Sequence, residues 1–445
     1  MTVTTDYHCE LAWLGGDAAV SDVVVRIDGD RIVDVDVGVA ASPTAVTLQG
    51  LTVPGFANAH SHAFHRALRG RTHAGTGSFW TWREQMYAVA ASLDPDRYQA
   101  LARATFAEMA LAGTSCVGEF HYLHHQAGGA PYDDPNAMGA AIVEAASEAG
   151  LRLTLLDTCY LHGGIGIDLD ETQRRFTDGD VLSWATRTGG LGETPTVRVG
   201  AAIHSVRAVD PAAIEIVAAW AAERGTPLHA HVSEQPAENE QCRQAYGRSP
   251  TELLADHAAL GERFTAVHAT HLTDADVDLL GRHRCWCCLC PTTERDLADG
   301  IGPARHLRDA GARLTLGSDS HAVIDPLEEA RAVELDERLA SLIRGSHRAP
   351  DLLRTATEHG HASLGWPDAG RIEVGALADL TTVDLTSVRT AGADAETALG
   401  TVVFAATAAD VRHVVVGGRV VVRDGAHTTI DVPAELAAAV RAVLP

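Results

Sequence analysis

The chain of 445 residues contains no lysine, so all 35 of its basic residues are arginine. That removes the residue on which Schiff-base and pyridoxal chemistry depend. It also removes any metal site bridged by a carboxylated lysine. Eight cysteines in a chain of this length are too sparse for a disulfide-stapled fold, which would be smaller and denser in cysteine. No stretch approaches 18 consecutive apolar residues, so none reads as a membrane span. Residues 1–16 lack both a positively charged start and a long apolar run, and a secretory signal is not expected there. The expected setting is therefore cytoplasmic and reducing. Positive charge is also short: 35 arginines face 59 acidic residues, a net charge of −24. Such a surface argues against nucleic acid or an anionic membrane as partner.

What is present reads as globular, with 46% hydrophobic and 21% charged residues. A chain this long buries enough apolar surface to fold without a staple. Both ends alternate like short strands. Segments 23–27 and 31–35 flank the turn Asp28-Gly29-Asp30, and segments 379–383, 411–416 and 419–422 repeat the texture around Gly417-Gly418. The expectation is one small β-sandwich domain built from both termini, residues 1–53 and 371–445. Between them, residues 54–370 alternate short apolar runs with alanine-rich helical stretches. Strands are expected at 51–56, 115–120, 152–157, 197–203, 227–231, 264–268, 285–290 and 313–317, with helices at 96–112, 137–149 and 211–223 among them. Eight strands with interleaved helices point to an α/β fold, a (β/α)₈ TIM-like barrel rather than a doubly wound sheet.

The chain has 23 histidines, and several fall at the expected strand ends. His60 and His62, one residue apart at the end of the first strand, point to the same side and can reach one cation. His231 ends the fifth strand, and Glu234 lies three residues on, where a carboxylate can carry protons without ligating. His229 reads as a barrel-interior residue. At the sixth strand His268 is a better inward candidate than His271, which fits a structural turn equally well. Asp319, after the eighth strand, closes the ring beside the first. Nitrogen and oxygen donors of this kind at the active face of a barrel suit a zinc-like divalent ion with room for water. Cys285, Cys287, Cys288 and Cys290 compete for a metal on paper, but on a short strand their thiols alternate between faces, and they read as apolar filler. Arg66, Arg69 and Arg71 read as solvated surface residues.

Together, Pro54-Gly55-Phe56 leading to His60 and His62, then His231, Glu234, His268 and Ser318-Asp319, resemble the amidohydrolase superfamily. The missing carboxylated lysine fits its mononuclear deaminase branch. Within it, stretches 58–64, 78–87, 119–125, 202–209 and 229–235 resemble the formimidoylglutamate deiminase family along essentially the whole chain. The resemblance implies hydrolysis of N-formimidoyl-L-glutamate to N-formyl-L-glutamate and ammonia in histidine degradation, with one divalent ion, usually zinc. It implies His60, His62, His231 and Asp319 as metal ligands, and Glu234, His268 and Asp319 as catalytic groups, with either Asp319 or His268 taking the water proton. Arg83, Tyr122, His204 and Arg207 would bind the glutamate portion. His65 stands where family members often carry glutamine and is a further candidate for substrate contact. A homodimer is implied as well. Bidentate arginine suits a dicarboxylate entering an acidic protein. The remaining readings are a related deaminase acting on a nucleobase or an adenosine-like ring, and an inactive metal-binding barrel.

Overall fold

The computed structural model describes residues 4–73 and 79–444, with the side chains of Phe79 and Trp80 left aside. Two eight-stranded sheets organise the chain. The first takes β1 (Thr5–Ala12), β2 (Val20–Asp28), β3 (Arg31–Val37) and β4 (Val46–Pro54) from the start of the chain. The second is the barrel: β5 (Phe56–Ser61), β6 (Thr114–His121), β7 (Arg152–Cys159), β8 (Val197–Ile203), β9 (Leu228–Val232), β10 (Phe264–His268), β11 (Trp286–Leu289) and β12 (Arg313–Leu316). The chain then returns to the first sheet with β13 (Leu380–Val383), β14 (Val411–Val416), β15 (Arg419–Arg423) and β16 (Ala426–His427).

Both termini thus build one mixed sheet, in the order β16-β15-β14-β13-β4-β1-β2-β3, in which β1 and β4 are parallel and the remaining pairs antiparallel. Its two ends fold toward each other: Val25 and Ile32 share one buried cluster with Leu380 and Val415. The barrel strands are parallel neighbours in sequence order. Closure comes from the bridge between Ser61 and Asp319, where the Asp319 N–H donates to His60 O at 3.0 Å and the His62 N–H to Asp319 O at 3.2 Å. The barrel is therefore sewn shut at the position where the histidine pair meets the aspartate.

Helices cover the outside for reasons legible in the sequence. Pro95–Leu111 starts with Pro at its first turn and with Asp94 accepting from the Arg97 N–H, and it buries Leu101, Phe106 and Met109. Pro211–Arg224 repeats the device with Asp210 and ends at Gly225 in the left-handed region. The expected first barrel strand, 51–56, needs correction. Residues through Pro54 belong to β4, and the barrel starts at Phe56. The apolar run is continuous across the join, so alternation cannot mark it. Gly55 marks it: an added Cβ there would lie 2.3 Å from Ser115 Oγ. Among the described residues no helix is long and apolar enough to cross a membrane.

A buried ion pair ties the two sheets together. Arg152, at the start of β7, contacts Asp379 through Nε at 2.9 Å and Nη2 at 3.2 Å, and Asp379 also accepts the Gly417 N–H at 2.7 Å. Both side chains are essentially inaccessible. Removing one partner leaves an uncompensated buried charge, so Asp379→Ala is expected to cost about 3–5 kcal/mol. Denaturant unfolding checks this, and an unchanged midpoint would contradict it.

Candidate active site

The site is assembled from strand ends and the loops that follow them. His60 lies in β5 and His62 just beyond it, His231 in β9, and Asp319 after β12. All four are buried, with one donor atom from each lying within 4.8 Å of the others. His60 Nε2 stands 3.1 Å from His231 Nε2 and 3.2 Å from Asp319 Oδ1, while His62 Nε2 is 3.4 Å from both His231 Nε2 and Asp319 Oδ1.

Hydrogen bonding shows what this convergence is for. His62 Nδ1 faces the Phe120 carbonyl at 3.0 Å, and His231 Nδ1 faces the His204 carbonyl at 2.9 Å. A carbonyl only accepts, so both Nδ1 atoms carry hydrogen. Burial lowers the pKa of both rings well below the ordinary imidazole value and keeps them neutral. Their Nε2 atoms therefore present lone pairs to each other beside a carboxylate. Burial would raise the Asp319 carboxyl, but the hydrogen bond and charge of His60, with His268 and His62, hold it well below its ordinary range. Facing lone pairs and an ionised carboxylate in a dry site need a cation. Donors held about 2.0–2.1 Å from a tetrahedral ion lie about 3.3–3.4 Å apart, close to the 3.1–3.4 Å found. The four residues fit one divalent metal ion.

Two other groups of close donors fit a metal poorly. In the group of His121, His124 and Asp157, the Asp157 oxygens are already taken by Arg187 at 2.8 Å, Trp184 at 2.9 Å and Thr188 at 2.8 Å. A guanidinium sits where the ion would be. In the group of His268, Cys290 and Glu294, one Glu294 oxygen accepts the Cys290 N–H at 2.9 Å and faces His268 Nδ1 at 3.4 Å. Cys285, Cys287 and Cys288 are buried in and beside β11 with Cys290, and burial pushes the Cys285 thiol up to about 12.

Around the metal-fitting cluster stand proton-carrying groups. His268 Nε2 lies 3.8 Å from Glu234 and 3.9 Å from Asp319. Burial opposes a charge on His268, yet Glu234, Glu294 and Asp319 outweigh it and hold its pKa well above the ordinary value. Burial raises the Glu234 carboxyl, and His268 and Arg207 offset this only in part. Ser233, His268, Ala269, Asp319 and His321 all adopt positive φ, between 41° and 67°. Non-glycine residues in that region cluster at functional sites, where the surroundings over-determine them.

One cavity joins the cluster to the other residues singled out in the sequence. His62, His231, Glu234, His268 and Asp319 line it, and so do Arg83, Tyr122, His204, Arg207 and His65. His65 Nε2 lies 3.1 Å from Tyr122 Oη. Arg207 sits between two carboxylates, 4.0 Å from Glu234 and 3.8 Å from Glu238. Arg83 donates through Nε to Tyr87 Oη at 2.6 Å. In the stretch 78–87, Ser78 lies outside the described residues.

Other residues fall elsewhere. His229 points into the barrel, 3.3 Å from Ser363 O, and His271 braces the loop 2.7 Å from Asp299 O. Arg66 and Arg69 are half-buried and paired with Glu108 at 2.6 and 2.5 Å instead of solvated, while Arg71 is exposed. Sequence reasoning missed Tyr160, which stands just past β7 on the cavity wall, and Glu294 behind His268. A polar aromatic one residue beyond a barrel strand was the available signal for Tyr160. Glu294 gave none, because its helix follows a strand with no other chemistry.

Comparison with known proteins agrees with this architecture. A model of the amidohydrolase family matches residues 51–421. A formimidoylglutamate deiminase from Pseudomonas aeruginosa is 39% identical over 86% of this chain and 87% of its own. A 5-methylthioadenosine/S-adenosylhomocysteine deaminase from Natronomonas pharaonis is 30% identical over 94% of this chain and 93% of its own. The crystal structure of an amidohydrolase from Brucella melitensis superposes with a TM-score of 0.92 at 33% identity, covering 99% of this chain and 100% of that one.

The site predicts metal dependence directly. The purified protein is expected to carry about one divalent ion per chain, and the His231→Ala variant to lose most of it. Its thermal midpoint should rise on adding the ion, since binding to the folded state stabilises it. Elemental analysis with thermal unfolding checks both, and full metal content in the variant would contradict the assignment.

Proposed function

The chain belongs to the amidohydrolase family and is a metal-dependent hydrolase, and from that premise we propose that it hydrolyses N-formimidoyl-L-glutamate to N-formyl-L-glutamate and ammonia, a step of histidine degradation. The proposed ion is zinc, with His60, His62, His231 and Asp319 as its ligands. The observation that carries the reading is a pair of guanidiniums, Arg83 and Arg207, on the wall of the same cavity as Glu234 and the histidine cluster. Both bear electrostatically on His204 and Tyr160, so they face one space. Two arginines in a chain of net charge −24 are a place for two carboxylates.

A divalent ion bound at the cluster supplies the Lewis acidity that makes water nucleophilic near neutral pH. In the proposed step the water oxygen bonds to the formimidoyl carbon and the bond from that carbon to its terminal nitrogen breaks. Both water hydrogens end on the departing nitrogen, which leaves as ammonia. Glu234, between His268 and Arg207, moves a proton from the attacking water to that nitrogen. His268 or Asp319, 3.9 Å from each other, takes the first proton from the water. Arg83, Arg207, Tyr122, His204 and His65 bind the glutamate portion and fix the carbon in place, an orientation gain.

The relative that is a 5-methylthioadenosine/S-adenosylhomocysteine deaminase supports a second reading, deamination of an adenosine-like ring. A neutral nucleoside would offer neither cavity guanidinium a carboxylate to bind, which weighs against it.

Two substitutions test the proposal. Glu234→Gln is expected to keep the metal and lose about 10²–10⁴-fold in kcat. Arg207→Met is expected to raise KM for the dicarboxylate about 30-fold. Steady-state ammonia release checks both, and near wild-type turnover in the Glu234 variant would refute the proton relay.

A further inference from the structure

Arg152 and Arg175 are each 1% exposed, and they are held differently. Arg152 meets the carboxylate of Asp379, whereas Arg175 meets backbone carbonyls. Its Nε donates to His125 O at 3.1 Å, Nη2 to Leu93 O at 2.9 Å and Nη1 to Ala90 O. The Arg175 carbonyl accepts in return from the N–H groups of His124 and His125, at 3.1 and 3.0 Å. Ala90 lies in the last turn of the helix Phe79–Ser92 and Leu93 just past it, where unpaired carbonyls carry the negative end of the helix dipole. One planar guanidinium thus joins three segments far apart in sequence: that helix, the loop after β6 and the turn Gln173–Phe176.

Each of the three segments contributes to the cavity wall. The helix supplies Trp82, Met86 and Tyr87, the loop supplies Tyr122, and the turn supplies Phe176. Phe176, next to Arg175 in sequence, packs its ring against Tyr87, Tyr122 and Tyr160, with ring centroids 5.9, 5.1 and 5.4 Å away. Arg175 itself does not line the cavity. The four metal-fitting residues come from other elements, β5, β9 and the chain around and after them and β12.

We propose that Arg175 is a positioning residue for substrate binding. By fastening the helix Phe79–Ser92 and the loop after β6 to the turn Gln173–Phe176, it holds the aromatic wall of the cavity in its binding shape, while the metal centre assembles without it. It acts through Phe176 and the tyrosines around that ring. The inference rests on the reading above only for the substrate of the kinetic arm.

The test uses the whole chain loaded with metal. Arg175→Met keeps a long apolar stem and removes the fork. With the wall in shape about a tenth of the time, KM for N-formimidoyl-L-glutamate rises about tenfold, while kcat stays within about twofold and the metal content is unchanged. Amide hydrogen exchange is expected to rise about tenfold across residues 79–93 and 121–125 and to stay as it was in β9 to β12. An arginine that served folding alone would lower the folded fraction, and with it kcat, without moving KM. Unchanged exchange over residues 79–93 would overturn the proposal, as would an equal rise in the barrel strands or a fall in kcat at unchanged KM. Should Arg175→Met fail to fold, Arg175→Lys, which keeps the charge but not the fork, carries the test with a rise of about threefold in KM and the same local pattern of exchange. Should the wild-type protein not turn over N-formimidoyl-L-glutamate, the proposed reaction fails and the exchange pattern still decides the role of Arg175. Turnover with a uniform exchange response does the reverse.

Discussion

The structure turns on two imidazole lone pairs forced to face each other beside an ionised aspartate. Left alone, that contact is repulsive, and burial makes it worse. Nothing about it is loose. The Phe120 and His204 carbonyls hold the rings of His62 and His231 in one tautomer, and the bridge from Ser61 to Asp319 closes the barrel at the same point. A further polar layer lies beneath. Glu119 accepts from the Ser61 hydroxyl at 2.5 Å and the Ala63 N–H at 2.7 Å, and Asn58 and Ser318 are paired by two hydrogen bonds. The fold concentrates strain and like polarity at one mouth, and a cation relieves both.

Charge is distributed with the same economy. The surface is strongly acidic, yet the cavity is furnished with guanidiniums and aromatic rings. Arg207 lies between Glu234 and Glu238 at distances too long for a hydrogen bond to either. It is close enough to balance their charge. Glu234, Glu294 and Asp319 surround His268 and favour its charged form. Buried imidazoles, carboxylates and guanidiniums are thereby set in different environments around one cavity.

Much of this was legible from the residues. Strand spacing gave the eight-stranded barrel and the shared sheet of the two termini, because parallel buried strands leave unbroken apolar runs between amphipathic helices. The residues brought into one cluster, His60, His62, His231 and Asp319, each follow or end such a run, which is why they could be picked out without contacts. Two things were hidden. The passage from β4 to β5 lies inside a continuous apolar segment, so only Gly55 betrays it. Glu294 meets His268 from a separate helix, and no local pattern encodes such a partner. Arg66 and Arg69 failed for the same reason: Glu108, which draws them inward, is about forty residues away on another helix.

The central claim, that one metal centre and two arginines together define a hydrolase of an acidic amidine, is tested most directly by comparing ammonia release from N-formimidoyl-L-glutamate and from S-adenosylhomocysteine on one preparation whose metal content is measured. The account predicts efficient release from the first, little from the second, and loss of that activity when a chelator removes the ion. Preference for the nucleoside, or undiminished activity in metal-free protein, would contradict it.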